Sequence, residues 1–256
     1  MVFGAITDGS SSGASSLTFT SPTVSGTLTL GVVGVLVQTD LTITGVTWNG
    51  TAMTFISRST NGANSERVEL WHIVNPSAGA TNVVISRTGS SNALIGIASF
   101  YNSTRQTAQP DSSTSNTQTT GTYSPTTTTV ADRSTIIMMS RGISGSTFTA
   151  GASTTIRSQP STGQALSERA NVTPAGSTAI NLTCTSQEII SAIASFAPFI
   201  DSVTVTDTSS SSDTILQSVT QIVTDSVTTT EDPLNTIEKW VNAKKNPSDW
   251  NNAQKS

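Results

Sequence analysis

The residues with the chemistry of a catalyst are few and scattered. Gly9-Ser10-Ser11-Ser12-Gly13 satisfies G-x-S-x-G, the pattern that presents a nucleophilic serine in hydrolases. That role needs a strand before the serine and a helix after it. The residues around Ser11 read instead as a flexible Ser/Gly head, so the motif is taken as a chance match. His72 is the single histidine of the chain and the one candidate general base. It alternates with Trp71 and Ile73 in an apolar stretch, the setting of a packed structural side chain. Cys184, the single cysteine, excludes an internal disulfide and reads as a small buried apolar residue. Asp40, Asp111 and Asp132 could supply oxygen to a calcium ion, but no D-x-D-x-D-G loop surrounds them, and they read as turn acids. We therefore expect no enzyme activity, no metal and no cofactor. Trp48, Trp71, Tyr101 and Tyr123 leave one binding chemistry open. Amphipathic aromatic rings can stack on sugars, with Trp48 and Trp71 as the stacking candidates.

Few charges remain to build any other site. Of 256 residues, 11% are charged and 34% hydrophobic, whereas 41 Ser and 46 Thr make up a third of the chain. A net charge of −4 and the lack of a basic cluster give no electrostatic footprint for nucleic acid. No run of about 20 apolar residues spans a membrane. The first ten residues lack the basic stretch and apolar core of a secretory leader, which favours assembly in a host cytoplasm.

The elements that must hold these residues read as strands. Thr27 to Gln38 passes from alternation into a continuous apolar run, as a strand entering a core does. Thr42 to Trp48 and Thr51 to Ser57 flank Asn49-Gly50, a strong short hairpin signal because both turn residues adopt positive φ. Glu66 to Val74 places Val68, Leu70, His72 and Val74 on one face and Arg67, Glu69, Trp71 and Ile73 on the other. Ala93 to Tyr101, Ser134 to Ser140, Ala165 to Val172 and Glu188 to Phe199 continue the series. Ser112 to Thr129 has little to bury and reads as a loop or surface β-edge. Short strands separated by Gly, Asn and Pro predict an antiparallel sandwich or barrel over residues 1–200.

The run from Gly45 to Asn102 resembles a β-sandwich domain recurrent in bacteriophage structural proteins and bacterial surface proteins. The shared features are the hairpin Val46 to Met53, the strand and turn Val68 to Gly79, and the strand Gly96 to Phe100. Ala78 departs from the Ser or Thr usual in that turn. The resemblance spans roughly residues 15–200. It implies an all-β, antiparallel jelly-roll-like sandwich in a virion or cell-surface setting, with no catalytic residues to carry over.

Two further zones follow. Residues 201–232 hold six acids and no basic residue, and repeat D-S-V-T or Q-S-V-T from Asp201, Gln217 and Asp225. Ile215, Val219 and Ile222 fall at helical spacing, yet Val and Thr favour strands. An extended arm lying on a neighbouring subunit is preferred, with a helix as the alternative. In residues 233–256, Pro233 follows two acids, and Leu234, Ile237, Trp240 and Val241 share one face before Lys244 and Lys245. This predicts a short helix whose apolar face docks on a partner. The functional expectation is a non-enzymatic virion component, first a capsid decoration or outer head protein. It would assemble with copies of itself and with other virion proteins. The alternatives are a tail or fibre protein, or a carbohydrate-binding module that contacts a host-surface glycan.

Overall fold

The computed structural model describes residues 1–200 apart from 39–40, 64, 91–92, 120–121, 144–146, 162 and 186–187, together with the backbone of 202–204 and 220–222. Every sheet is antiparallel, and no helix occurs among the described residues. The chain divides into a unit Met1–Phe199 and a unit Ile200–Ser256.

Nine strands form the first half of the larger unit: β1 (Val2–Ser12), β2 (Ser16–Thr20), β3 (Leu30–Gln38), β4 (Ile43–Trp48), β5 (Thr51–Ala52), β6 (Thr54–Thr60), β7 (Glu66–Val74), β8 (Asn82–Arg87) and β9 (Ala93–Asn102). Ten form the second: β10 (Ser112–Gln118), β11 (Thr122–Tyr123), β12 (Thr126–Thr128), β13 (Ser134–Gly142), β14 (Thr149–Ala150), β15 (Thr155–Ser158), β16 (Gln164–Val172), β17 (Ser177–Ala179), β18 (Leu182–Thr183) and β19 (Ile189–Phe196). In the second unit, β20 (Ser202–Thr204) pairs with β21 (Thr220–Ile222).

Both halves are nested in the same way. In the first, β1 pairs with β9, β2 with β8, and β3 with β7. In the second, β10 pairs with β19, β11 with β18, β12 with β17, and β13 with β16. The inner sheets are accordingly β1-β9-β3-β7-β6 and β10-β19-β13-β16-β15, which match strand for strand. The outer layers are β2-β8-β4-β5 in the first half, and β11-β18-β14 with β12-β17 in the second.

The result is four layers, where the sequence suggests one two-layer sandwich. Val32, Leu36, Leu70 and Ile97 of the first inner sheet pack on Ile137, Met139, Leu166 and Phe196 of the second. Val33, Val35 and Phe100 face the first outer sheet through Phe19, Val46, Trp48 and Ile85. Ile136, Met138 and Ile193 face Tyr123, Ile180 and Leu182 on the far side. Strand order runs in opposite senses across the central interface, so β1 adjoins β15, β3 adjoins β13, and β6 adjoins β10. The interface is not symmetric about its centre: β19 also meets β6 and β7, and β13 meets β7, so contact is concentrated toward the β6–β10 side. Polar contacts lie at both margins: Ser59 donates to the Asn116 carbonyl at 3.0 Å, and Ser158 donates to Asp8 at 3.3 Å.

Burial on both faces explains the continuous apolar runs. All of β13 and β19 is buried, as is β3 up to Gln38. Alternation survives where one face meets solvent, as in β2. Glycines then open slots for large rings from the outer sheet. Gly9 pairs with Gly96 across β1 and β9, and Phe19 fills the space between them. A Cβ at Gly9 would lie 2.6 Å from the Phe19 Cβ, and one at Gly96 would lie 2.5 Å from the Ile85 Cδ1. The expected flexible head is therefore a paired edge strand, because its glycines admit an aromatic ring. Asn49 (φ 51°) and Gly50 (φ 77°) form the β4–β5 hairpin turn at the predicted position.

At one end of the central interface, Arg141 of the second half forms a two-point ion pair with Glu66 of the first, with Nε–Oε2 at 3.1 Å and a terminal nitrogen to Oε1 at 2.7 Å. Gln38 also donates to Glu66. Removing one member of such a pair strands the other charge away from water. Arg141→Ala should lower unfolding free energy by about 3–5 kcal/mol. Gly34→Val should cost about 1–3 kcal/mol, since a Cβ at Gly34 already lies 2.9 Å from the Met139 sulfur and 3.1 Å from Leu166. Gly45→Ala, with nothing within 4 Å of the new methyl, should change stability by no more than about 0.5 kcal/mol. Urea titration of the three variants checks the series.

Candidate functional site

The residues with catalytic potential are kept apart. Ser11 lies on β1 and His72 on β7, separated in the inner sheet by β9 and β3. Three strand spacings amount to about 14 Å, beyond any hydrogen bond between them. Gly9 of the G-x-S-x-G pattern is occupied in packing Phe19. His72 is 6% exposed in the central interface, and its ring meets Phe196 edge to face at 6.1 Å. Desolvation holds its pKa below the usual 6.5, an effect partly offset by backbone groups of Thr54 and Gln109. Cys184 is buried among Ile180 and Leu182 in the outer core of the second half.

The acids serve turns and ion pairs. Asp111 pairs with Arg105, while burial raises its pKa. Asp132 accepts the Ala175 amide at 2.7 Å. Asp40 lies outside the described residues. Among the described residues no three His, Cys, Asp or Glu side chains gather as a metal site would require. Arg157 pairs with Glu168 and sets its guanidinium 4.0 Å from the centre of the Phe3 ring.

The aromatic candidates divide. Trp48 is fully buried, with its ring over Gly31, where an added Cβ would lie 3.1 Å from Cζ3. Trp48 therefore cannot stack on an external sugar, which corrects that part of the sequence expectation. Tyr101 and Tyr123 are also buried. Trp71 is different. It sits on the outer face of the β6–β7 edge, opposite Phe55, and is only partly covered. The two rings meet edge to face at 5.3 Å with 73° between their planes. Trp71 Nε1 donates to Glu69 Oε2 at 3.0 Å, which fixes the indole. Glu69 is 2% exposed, and burial raises its pKa. Arg58 lies 3.9 Å from Glu69 Oε1 and sets its guanidinium 5.2 Å from the Phe55 ring centre. Arg67 is on the same face and donates to the Leu41 carbonyl.

Sequence reasoning placed Arg67, Glu69, Trp71 and Ile73 together on one face but did not add Phe55 and Arg58. The signal for those two is obscured by a register shift between Phe55 and Ser57, which breaks the simple alternation of β6. Of the docking residues expected in the tail, Ile222 lies in β21 with its backbone opposite Ser202. Ile215, Val219, Leu234, Ile237, Trp240 and Val241 lie outside the described residues, as does the expected terminal helix.

No family model, curated protein or solved structure matches the chain.

His72 sets a pH dependence. With its folded pKa below 6.5, the unfolded chain takes up the proton first as pH falls. The stability contributed by neutral His72 is full above pH 6.5 and declines below it, by at most about 1.4 kcal/mol per pH unit. Glu69 and Asp111, raised by burial, act in the opposite direction. The difference between wild type and His72→Gln isolates the histidine. In denaturant titrations from pH 7.5 to 5, that difference should shrink as the pH falls below 6.5.

Proposed function

We propose that this chain is a non-enzymatic structural component of a phage-like virion, first of all a capsid decoration or outer head protein. The observation that carries the reading is the nested pairing of both halves. Each joins its first strand to its last and its second to its last but one, a pairing order that supports reading each half as a jelly roll, an architecture used for viral capsid and lectin domains. Two such units fused face to face give a rigid slab with little chemistry on it, suited to bearing load and presenting edges. A tail or fibre position would use the same slab.

One pole of the slab favours assembly. Val2 is 59% exposed and pairs with Asn102, and Phe199 is 45% exposed, with its amide bonded to the Ser103 carbonyl at 2.8 Å. Exposed apolar groups thus gather where the chain passes into residues 200–256. The acidic, Val- and Thr-rich segment 201–232 and the amphipathic segment 233–256 would clasp a neighbouring copy or another virion protein, through Ile215, Val219, Ile222, Leu234, Ile237, Trp240 and Val241.

Light scattering after size exclusion tests this on the full chain and on one ending at Ile200. All three cores lie within residues 1–196, so the shortened chain keeps its fold. The full chain should form a discrete oligomer and the shortened chain a folded monomer. A monomeric full chain that also fails to bind particles assembled without it would refute the reading.

A further inference from the structure

The β6–β7 edge carries a surface that the assembly reading does not use. On it, one carboxylate is buried and committed to Trp71, whereas Arg58 is 49% exposed and Arg67 is partly exposed. The charge offered to solvent is therefore positive. Beside it stand two rings at a right angle: Phe55, 38% exposed, and Trp71, whose only polar hydrogen is already bonded. The indole also packs on the first outer core and has no free polar hydrogen, so a ligand can meet it only through ring carbons. Both rings sit on paired strands rather than on a loop, so the corner is preorganised.

The second half provides an internal comparison. At the corresponding place on β15 and β16, Ile156 pairs with Ser167, and Ile156 packs into the outer core. Trp71 packs on the first outer core as Ile156 does on the second, and both are partly buried; the first half differs in carrying two rings and the exposed Arg58.

We propose that Trp71, Phe55, Arg58 and Arg67 form a binding site for an acidic carbohydrate, a sugar ring bearing a carboxylate. The C–H face of a pyranose stacks on Trp71 and abuts Phe55. Its carboxylate meets the guanidinium of Arg58, whose planar fork matches a carboxylate, and Arg67 adds charge and donors for hydroxyls. A neutral sugar would satisfy the rings but bring no charge to the exposed Arg58, which selects for the acidic class. This goes beyond the assembly reading and does not depend on it, because the site lies within residues 55–71 of the body.

The test titrates the full-length protein with a hexameric polygalacturonate and with a neutral galactose oligomer of equal length. Binding is followed by calorimetry and by the indole N–H resonances. The uronate should bind saturably and shift the Trp71 indole resonance, with the neutral oligomer at least tenfold weaker. Trp71→Ala and Phe55→Ala should each weaken uronate binding at least tenfold. Arg58→Gln should remove the preference for uronate. Trp71→Phe, which keeps an aromatic ring on the strand, controls for folding and should retain part of the binding. The proposal is overturned if neither oligomer binds. It is also overturned if Trp71→Ala binds as wild type does, or if binding is equal for both sugars and indifferent to Arg58. The oligomer measured by light scattering should be the same for all four variants, so loss of sugar binding and loss of assembly are separate results.

Discussion

The structure depends on two sheets that are each covered on both faces. A strand in such a sheet has no solvent side, so every side chain along it must be apolar, very small, or able to satisfy its own hydrogen bonds. Most positions of β3, β9, β13 and β19 obey this, filled with Val, Ile, Leu, Met, Phe, Ala, Gly and Ser, and the buried Arg141 of β13 is answered by Glu66. The hydroxyl-rich, charge-poor composition follows in part. Buried Ser99 donates to the Val32 carbonyl and Ser195 to that of Thr128, while Ser191 bonds the Tyr123 hydroxyl. A short hydroxyl returns its hydrogen bond to nearby groups with little volume, which a carboxylate or ammonium cannot do. Glu66 and Arg141 enter the central interface as a pair.

The same constraint decides where a binding surface can exist. The first outer sheet ends at β5, which is two residues long, and so leaves the outer face of β6 and β7 only partly covered. There the sequence departs from the rule of the interior and places Arg58, Arg67, Trp71 and Phe55. The glycines act in the opposite sense. Gly9, Gly31 and Gly96 remove side chains from the inner sheet so that Phe19 and Trp48 can enter it. One tryptophan is thus a core residue and the other a surface one, although both sit in β-strands with ordinary alternation.

Much of this was legible in the sequence. Hydrophobic alternation and the Asn49-Gly50 turn located β4, β5 and β7, and the apolar runs located β3, β9, β13 and β19. The fully buried runs were visible, but not the fact that two such sheets face each other, because a doubly covered strand carries no mark of which face meets which partner. The tetrapeptide Ile-Ala-Ser-Phe makes this concrete. It occurs as 97–100 in β9 and 193–196 in β19. Ile97 faces the central interface and Phe100 faces away, whereas Phe196 faces the interface and Ile193 faces away. A one-residue slip exchanges the faces, and only a strand buried on both sides tolerates either register. The binding surface was half legible. Trp71 and its neighbours on β7 follow from period-two spacing, but the bulge in β6 conceals Phe55 and Arg58. The status of Trp48 depends on Gly31, a contact between strands of two different sheets that no local pattern encodes.

The central claim is that the two halves are one cooperative body joined through their inner sheets. Native-state hydrogen exchange, read by mass spectrometry on peptides covering 30–38, 94–100, 135–142 and 189–196, tests it most directly. If the interface unites the halves, amides in all four segments should exchange only through global unfolding, with a common free energy of opening and the same denaturant dependence. If the segments of one half open at distinctly lower free energy while those of the other stay protected, the halves are independent domains and the account is wrong.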